Sequence, residues 1–254
     1  MTVRLFAMTS GRLTGPLANL MEGGEGEVDL PIPCYLIEHP KGRVVFDTGM
    51  HPDCQSDPAG RYGPRIAQTF RFHYKPGDEV TAKLEAIDRD PAKIDIVINS
   101  HLHFDHVGGN ALLPNATVMI QRREWQAGFD PDMAAARGFT RKDFDLGHKV
   151  VQLDGEHDVF GDGRVVCLPT HGHTPGHQSL KVCLEGREIV LAADACYFCR
   201  TLTERRLPPR AHDHEQMRQS LDRLAALQAG GATIFVGHDA EFWKTVPQAP
   251  TEIT

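Results

Sequence analysis

Residues 100–109 read Ser-His-Leu-His-Phe-Asp-His-Val-Gly-Gly, which places His101, His103, Asp105 and His106 within six positions. Imidazole nitrogen and carboxylate oxygen are the donors that suit zinc and other borderline divalent cations. A lone histidine on a loop is usually just solvated. Four such groups this close together gather polar atoms that burial penalises unless each finds a partner, and a bound metal satisfies all of them at once. The same chemistry recurs downstream at His173, within the stretch 170–177, at Asp194 and at His238.

Each of these groups follows a short apolar run. Ile94-Asp95-Ile96-Val97-Ile98 precedes the first cluster, Val165-Val166-Cys167-Leu168 precedes His173, Ile189-Val190-Leu191-Ala192-Ala193 ends at Asp194, and Ile234-Phe235-Val236-Gly237 ends at His238. Runs of this length bounded by Gly and Pro read as buried strands. The candidate ligands therefore lie in loops at strand ends, where a rigid scaffold presents side chains into a cleft. Flanking glycines let the backbone approach a crowded centre.

The pattern His101-x-His103-x-Asp105-His106 with His173, Asp194 and His238 resembles the dinuclear signature of the metallo-β-lactamase superfamily. Within it, the chain most resembles the N-acyl homoserine lactonases, the quorum-quenching lactone hydrolases. The likeness extends over nearly the whole chain, through Pro33–Ile37, Phe46–Met50, 100–109, 172–179, Asp194-Ala195-Cys196-Tyr197 and Phe235–Asp239. It implies an α/β fold, the four-layer αββα sandwich, in one hydrolase domain over 1–254. It also implies two divalent ions, zinc by default with iron, cobalt or manganese as alternatives, since availability often decides. By resemblance, His101, His103 and His173 hold one ion, Asp105, His106 and His238 the other, and Asp194 bridges them. A hydroxide shared by the ions would open the lactone ring, so no serine or cysteine nucleophile is needed. Tyr197 would donate to the developing oxyanion, and Asp105 would relay a proton to the leaving alkoxide. Asp47 and His177 are expected to orient ligands. His171 departs from the proline usual at its position in the resembled lactonases.

Composition agrees with a soluble enzyme. The chain has 254 residues, 41% hydrophobic and 24% charged, enough for one substantial core. A formal charge of −7 argues against nucleic acid as a partner. No apolar run reaches the length of a membrane span, and the N-terminus reads as a first strand rather than a secretory signal, so the expected location is the cytoplasm. The partner expected is a small-molecule lactone, and a homodimer is the assembly the resemblance suggests. The six cysteines do not suggest a disulfide framework in a chain of this kind, and the Cys196/Cys199 spacing has no second pair to support a metal or redox reading.

Strands are expected over 3–8, 34–38, 44–47, 94–99, 117–121, 165–168, 179–184, 188–193 and 233–236, and helices over 80–88, 122–127 and 214–228. Met217, Leu221, Leu224, Ala225 and Leu227 form the apolar stripe of a helix lying on a sheet. The stretch 11–33 carries Glu22-Gly23-Gly24-Glu25-Gly26-Glu27 and reads as too flexible for an element interior. The stretch 50–77 reads as a long, packed loop whose Tyr62, Phe70 and Phe72 either fasten it to the core or, as the resemblance implies, wall a substrate pocket. Seven other histidines, His39 among them, read as ordinary surface or loop residues.

Other relatives with this signature fit less well. A glyoxalase II-like thioester hydrolase shares the seven ligands but adds a basic C-terminal helical region, whereas Lys244 is the one basic residue after His238. A true β-lactamase has Cys where Asp194 stands. A non-catalytic sensor would be expected to have lost a ligand.

Overall fold

The structure is a computed structural model that describes residues 2–254. Its first sheet contains β1 (Arg4–Pro16), β2 (Glu27–His39), β3 (Gly42–Phe46), β4 (Arg71–His73), β5 (Ile96–Ile98), β6 (Thr117–Gln121) and β7 (Val150–Leu153), in the order β4-β1-β2-β3-β5-β6-β7. The second contains β8 (His157–Asp158), β9 (Val165–Pro169), β10 (Gln178–Leu184), β11 (Arg187–Ala193) and β12 (Thr233–Val236), in the order β12-β11-β10-β9-β8. Short helices α1 (Pro58–Tyr62), α2 (Pro64–Thr69), α3 (Val80–Glu85), α4 (Phe104–Val107), α5 (Arg122–Phe129), α6 (Pro131–Arg137), α7 (Cys199–Glu204) and α9 (Ala240–Trp243) accompany the longer α8 (His214–Ala229).

Strand alternation explains the layering. Leu5, Ala7, Ile37, Val44 and Phe46 turn toward Val165, Cys167, Leu180, Val182, Ile189 and Leu191 of the other sheet, forming the central core. Their neighbours Phe6, Met8, Leu36 and Val45 turn outward against Val80, Leu84 and Ile87 at α3. On the far side, Val190, Ala192, Ile234 and Val236 pack against Met217, Leu221 and Leu224 of α8. Period-2 strands buried on both faces need cover on both faces, and the result is the αββα sandwich.

Several expectations need correction. The stretch 11–33 is mostly strand: β1 runs to Pro16 and β2 starts at Glu27. A bulge between Thr9 and Arg12 absorbs Gly11, whose φ of 75° an L side chain rarely adopts, and pairing resumes at Arg12 with Pro31. Only the turn between them keeps the expected irregularity. The stretch 50–77 is not a structureless loop either. His51 and Asp57 side chains cap helical turns that begin with Pro52 and Pro58, then α2 and β4 follow. Strands β7 and β8 were not expected, and the expected strand over 94–99 shortens to Ile96–Ile98. His39 is buried, its ring stacked on Phe160 at 4.0 Å and its Nε2 2.9 Å from Asp162. Cys183, within the expected strand over 179–184, is only half-buried on β10. No helix among the described residues is long and apolar enough to cross a membrane.

Leu180 is fully buried in the core between the sheets. Leu180→Ala is expected to cost about 2–5 kcal/mol. A lower urea midpoint at unchanged m-value would show it.

Candidate metal centre

The loop after β5 carries His101 and His103, then turns into α4, which carries Asp105 and His106. The loop after β9 carries His173, Asp194 follows β11, and His238 follows β12. The seven residues predicted as ligands fall into two groups, His101, His103, His173 and Asp194 in one, Asp105, His106 and His238 in the other. Within each group, one ligand atom per residue lies within 4.8 Å of the rest.

Hydrogen bonds decide which ring nitrogen faces inward. Asp47 accepts from the Ser100 amide at 2.7 Å and from Ser100 Oγ at 2.7 Å, so Ser100 Oγ is left to accept from His101 Nδ1 at 2.9 Å. The same Asp47 carboxylate accepts from His106 Nδ1 at 2.8 Å. His103 donates Nε2–H to the Arg137 carbonyl at 2.9 Å, and His238 donates Nδ1–H to the Pro31 carbonyl at 2.9 Å. His173 Nδ1 lies 3.4 Å from the Tyr197 hydroxyl. A neutral imidazole that donates from one nitrogen presents a bare lone pair at the other. His101 Nε2, His103 Nδ1, His173 Nε2, His106 Nε2 and His238 Nε2 are thus the inward-facing acceptors.

These lone pairs crowd. His103 Nδ1 is 2.8 Å from His101 Nε2 and 3.0 Å from His173 Nε2, and none of the three has a proton left to share. His106 Nε2 is buried without a hydrogen bond, although Asp194 Oδ1 lies 3.2 Å away. Such an arrangement fits cations between the rings. Asp194 faces both groups. Its Oδ2 is 3.3 Å from His173 Nε2 and 3.7 Å from His101 Nε2, while its Oδ1 is 2.9 Å from His238 Nε2. One carboxylate can therefore serve both positions.

Charge preferences differ between the two groups. Burial, reinforced by neighbouring histidines, holds His101 and His173 well below the usual imidazole range, so both remain neutral ligands. At His106 burial also opposes protonation, but Asp194, Asp105 and Asp47 outweigh it and hold that ring well above the usual range, and at His238 Asp194 and Asp105 likewise outweigh burial, so these two rings favour a proton that a bound metal would displace. Burial would raise Asp194, yet His106, His238 and His101 hold it well below and keep it a carboxylate.

The surrounding frame explains why Asp194 points where it does. Ala193 carries a positive φ of 45°, a conformation an L-residue holds only under constraint. His177 Nε2 accepts the Asp194 amide at 3.1 Å. Its other nitrogen donates to Thr170 Oγ1 at 3.0 Å, Thr170 reaches Ser179 Oγ at 2.8 Å, and Ser179 donates to the Ala192 carbonyl at 3.0 Å. His177 thus holds the backbone of a candidate ligand rather than another imidazole, and burial pushes it down to about 3, which keeps it neutral.

The other predicted site residues separate. The Tyr62 and Phe72 rings pack on Phe104 at 4.9 and 5.9 Å, beside the start of α4, whereas Phe70 lies over Gly15 of β1. All three belong to the apolar cluster that contains Tyr197. His171 faces away, its Nδ1 donating to the His177 carbonyl at 3.0 Å. Cys196 and Cys199 are free thiols. Sequence reasoning missed Ser100, whose hydroxyl links Asp47 to His101, and Glu124, a fully buried acid on α5 that accepts backbone N–H groups from both ligand loops.

Residues 28–238 match the family model of the metallo-beta-lactamase superfamily. The chain belongs to that superfamily. Among its relatives, the N-acyl homoserine lactonase AttM of Azorhizobium caulinodans is 33% identical over 257 residues, covering 98% of this chain and 97% of AttM. The N-acyl homoserine lactonase AiiA of Bacillus thuringiensis subsp. kurstaki is 31% identical over 229 residues, covering 89% of this chain and 88% of AiiA. A solved N-acyl homoserine lactone hydrolase with N-hexanoyl-L-homoserine at its catalytic metal centre superposes with a TM-score of 0.89 at 27% identity, covering 100% of both chains. As a superfamily member, the chain combines the expected sandwich with a His/Asp cluster suited to metal.

Asp47→Ala removes the acceptor for His106 Nδ1 and loosens Ser100 behind His101. Competition with a chromophoric chelator is expected to show metal affinity lowered about 10–100-fold.

Proposed function

We propose that this chain is a metal-dependent hydrolase that opens the lactone ring of N-acyl homoserine lactones, with residues 1–254 acting as one hydrolase domain. The observation that carries the reading is the Tyr197 phenol beside a two-lobed His/Asp cluster, in a chain whose relatives over nearly its full length are N-acyl homoserine lactonases. His101, His103 and His173 would hold one divalent ion, Asp105, His106 and His238 a second, with Asp194 shared and zinc the default for this donor set. When bound, such a pair supplies a hydroxide at neutral pH and a Lewis acid for the ring carbonyl.

The chain's own residues do the rest. Burial, with Asp194 and Asp105 nearby, holds the Tyr197 phenol well above its usual range, so it stays protonated and can donate. With His173 Nδ1–H directed at the phenolic oxygen, the phenol's own hydrogen, which also has Asp194 within reach, would turn to a substrate carbonyl. That hydrogen bond strengthens as charge collects on the carbonyl oxygen in the transition state. Asp105, half-buried at the edge of the cluster, would take the proton carried by the attacking oxygen and pass it to the ring oxygen as it leaves. Tyr62, Phe72 and Phe104 offer the apolar surface that an acyl chain requires.

Elemental analysis of purified protein is expected to find two divalent ions per chain, mostly zinc, and dialysis against a strong chelator to abolish hydrolysis. Rates on acyl homoserine lactones of several chain lengths are expected to exceed the rate on S-lactoylglutathione. Faster turnover of the thioester would overturn the substrate assignment. Tyr197→Phe is expected to lower kcat about tenfold with metal content unchanged, less than the ~10²–10³ lost with a sole oxyanion donor. A variant indistinguishable from wild type would remove the phenol from the mechanism.

A further inference from the structure

Glu124 has no assigned part in the chemistry above, yet it is the acid that joins the two loops from which the first ligand group is built. It stands in the first turn of α5, where Arg122 and Arg123 face solvent as helix-start residues usually do. Glu124 instead turns inward and is 0% exposed. Its Oε1 accepts the Leu102 amide at 3.1 Å, between His101 and His103. Its Oε2 accepts the Gly176 amide at 2.7 Å, in the loop that carries His173. A Cβ on Gly176 would lie 2.3 Å from the Glu124 backbone nitrogen, so the contact requires glycine there. Among the described residues, no other side chain accepts backbone N–H groups from both loops.

We propose that Glu124 is a positioning residue that sets the spacing of the first ion site, and of that site alone. A carboxylate with one oxygen on each loop fixes their separation, and His101, His103 and His173 ride on those loops. The spacing it sets is the one seen between His103 Nδ1 and the Nε2 atoms of His101 and His173, 2.8 and 3.0 Å. The second group is supported differently, His106 by Asp47 and His238 by the Pro31 carbonyl. The acid is needed rather than an amide because both partners are donors. A glutamine would offer an acceptor to one loop and oppose its own N–H groups to the other.

This inference rests on the two-ion reading, and its test separates the two. Zinc affinity of metal-free protein is measured by chelator competition in two backgrounds. His238→Ala leaves the first group whole, and His173→Ala leaves the second. Adding Glu124→Gln is expected to lower zinc affinity about 10–100-fold in the His238→Ala background and to leave it within about twofold in the other. Gly176→Ala, whose Cβ would press on the Glu124 backbone and Cβ and force the same loop away from α5 while the carboxyl group is retained, is expected to reproduce that selectivity should Glu124→Gln fold poorly. Unchanged affinity in the first background, or equal losses in both, overturns the positioning role. Failure of the wild-type chain to bind zinc would instead overturn the proposed function.

Discussion

Ring nitrogens and one carboxylate crowded together with too few protons between them are the constraint on which the rest of this structure depends. Five imidazoles turn ring nitrogens toward one another and toward a single carboxylate, Asp194, at distances near 3 Å. In a metal-free interior such a cluster is costly, because buried acceptors facing acceptors lose their hydration without gaining hydrogen bonds. It persists because every ring is gripped from behind by Ser100, Asp47, the Arg137 and Pro31 carbonyls, or Tyr197. The outer hydrogen bonds choose the tautomer, the tautomer aims the lone pair, and the lone pairs define where a cation sits.

Backbone geometry serves the same end. Asp47 and Ala193 both carry positive φ, at 56° and 45°, and both stand at strand ends next to the cluster. Strained residues of this kind are tolerated where surrounding contacts over-determine them, and they gather at functional sites. Here the Asp47 carboxylate is held by three donors and the Asp194 amide by His177. The cost of each unusual conformation is offset by a hydrogen-bond network that could not form from an ordinary strand end.

The candidate ligands were legible in the sequence because the pattern is local: an apolar run of strand length, then His or Asp, with Gly close by at three of the four strand ends. Layering was legible for a related reason, since runs buried on both faces demand cover on both. What escaped reading depends on contacts between distant segments. The glycines of 11–33 hid a long strand, because a bulge that absorbs Gly11 can be recognised only once β2 lies alongside. Glu124 was invisible beside Arg122 and Arg123, as nothing local distinguishes an acid that faces water from one that faces two amides. His39 looked like a loop residue because the Phe160 ring that covers it lies far along the chain. Tyr62 and Phe72 were singled out, but Phe104, the ring they meet, was hidden within the ligand motif itself.

Each ligand group draws on both sheets. His101, His103, Asp105 and His106 follow a strand of the first, whereas His173, Asp194 and His238 follow strands of the second. A cation in either group would be bonded across the seam of the sandwich, so ion binding and the docking of the two halves share one free energy. Occupancy would clamp the halves together. Reciprocally, loosening the apolar seam far from the ligands would weaken the grip on the ion, which makes the hydrophobic interior a remote part of the coordination chemistry.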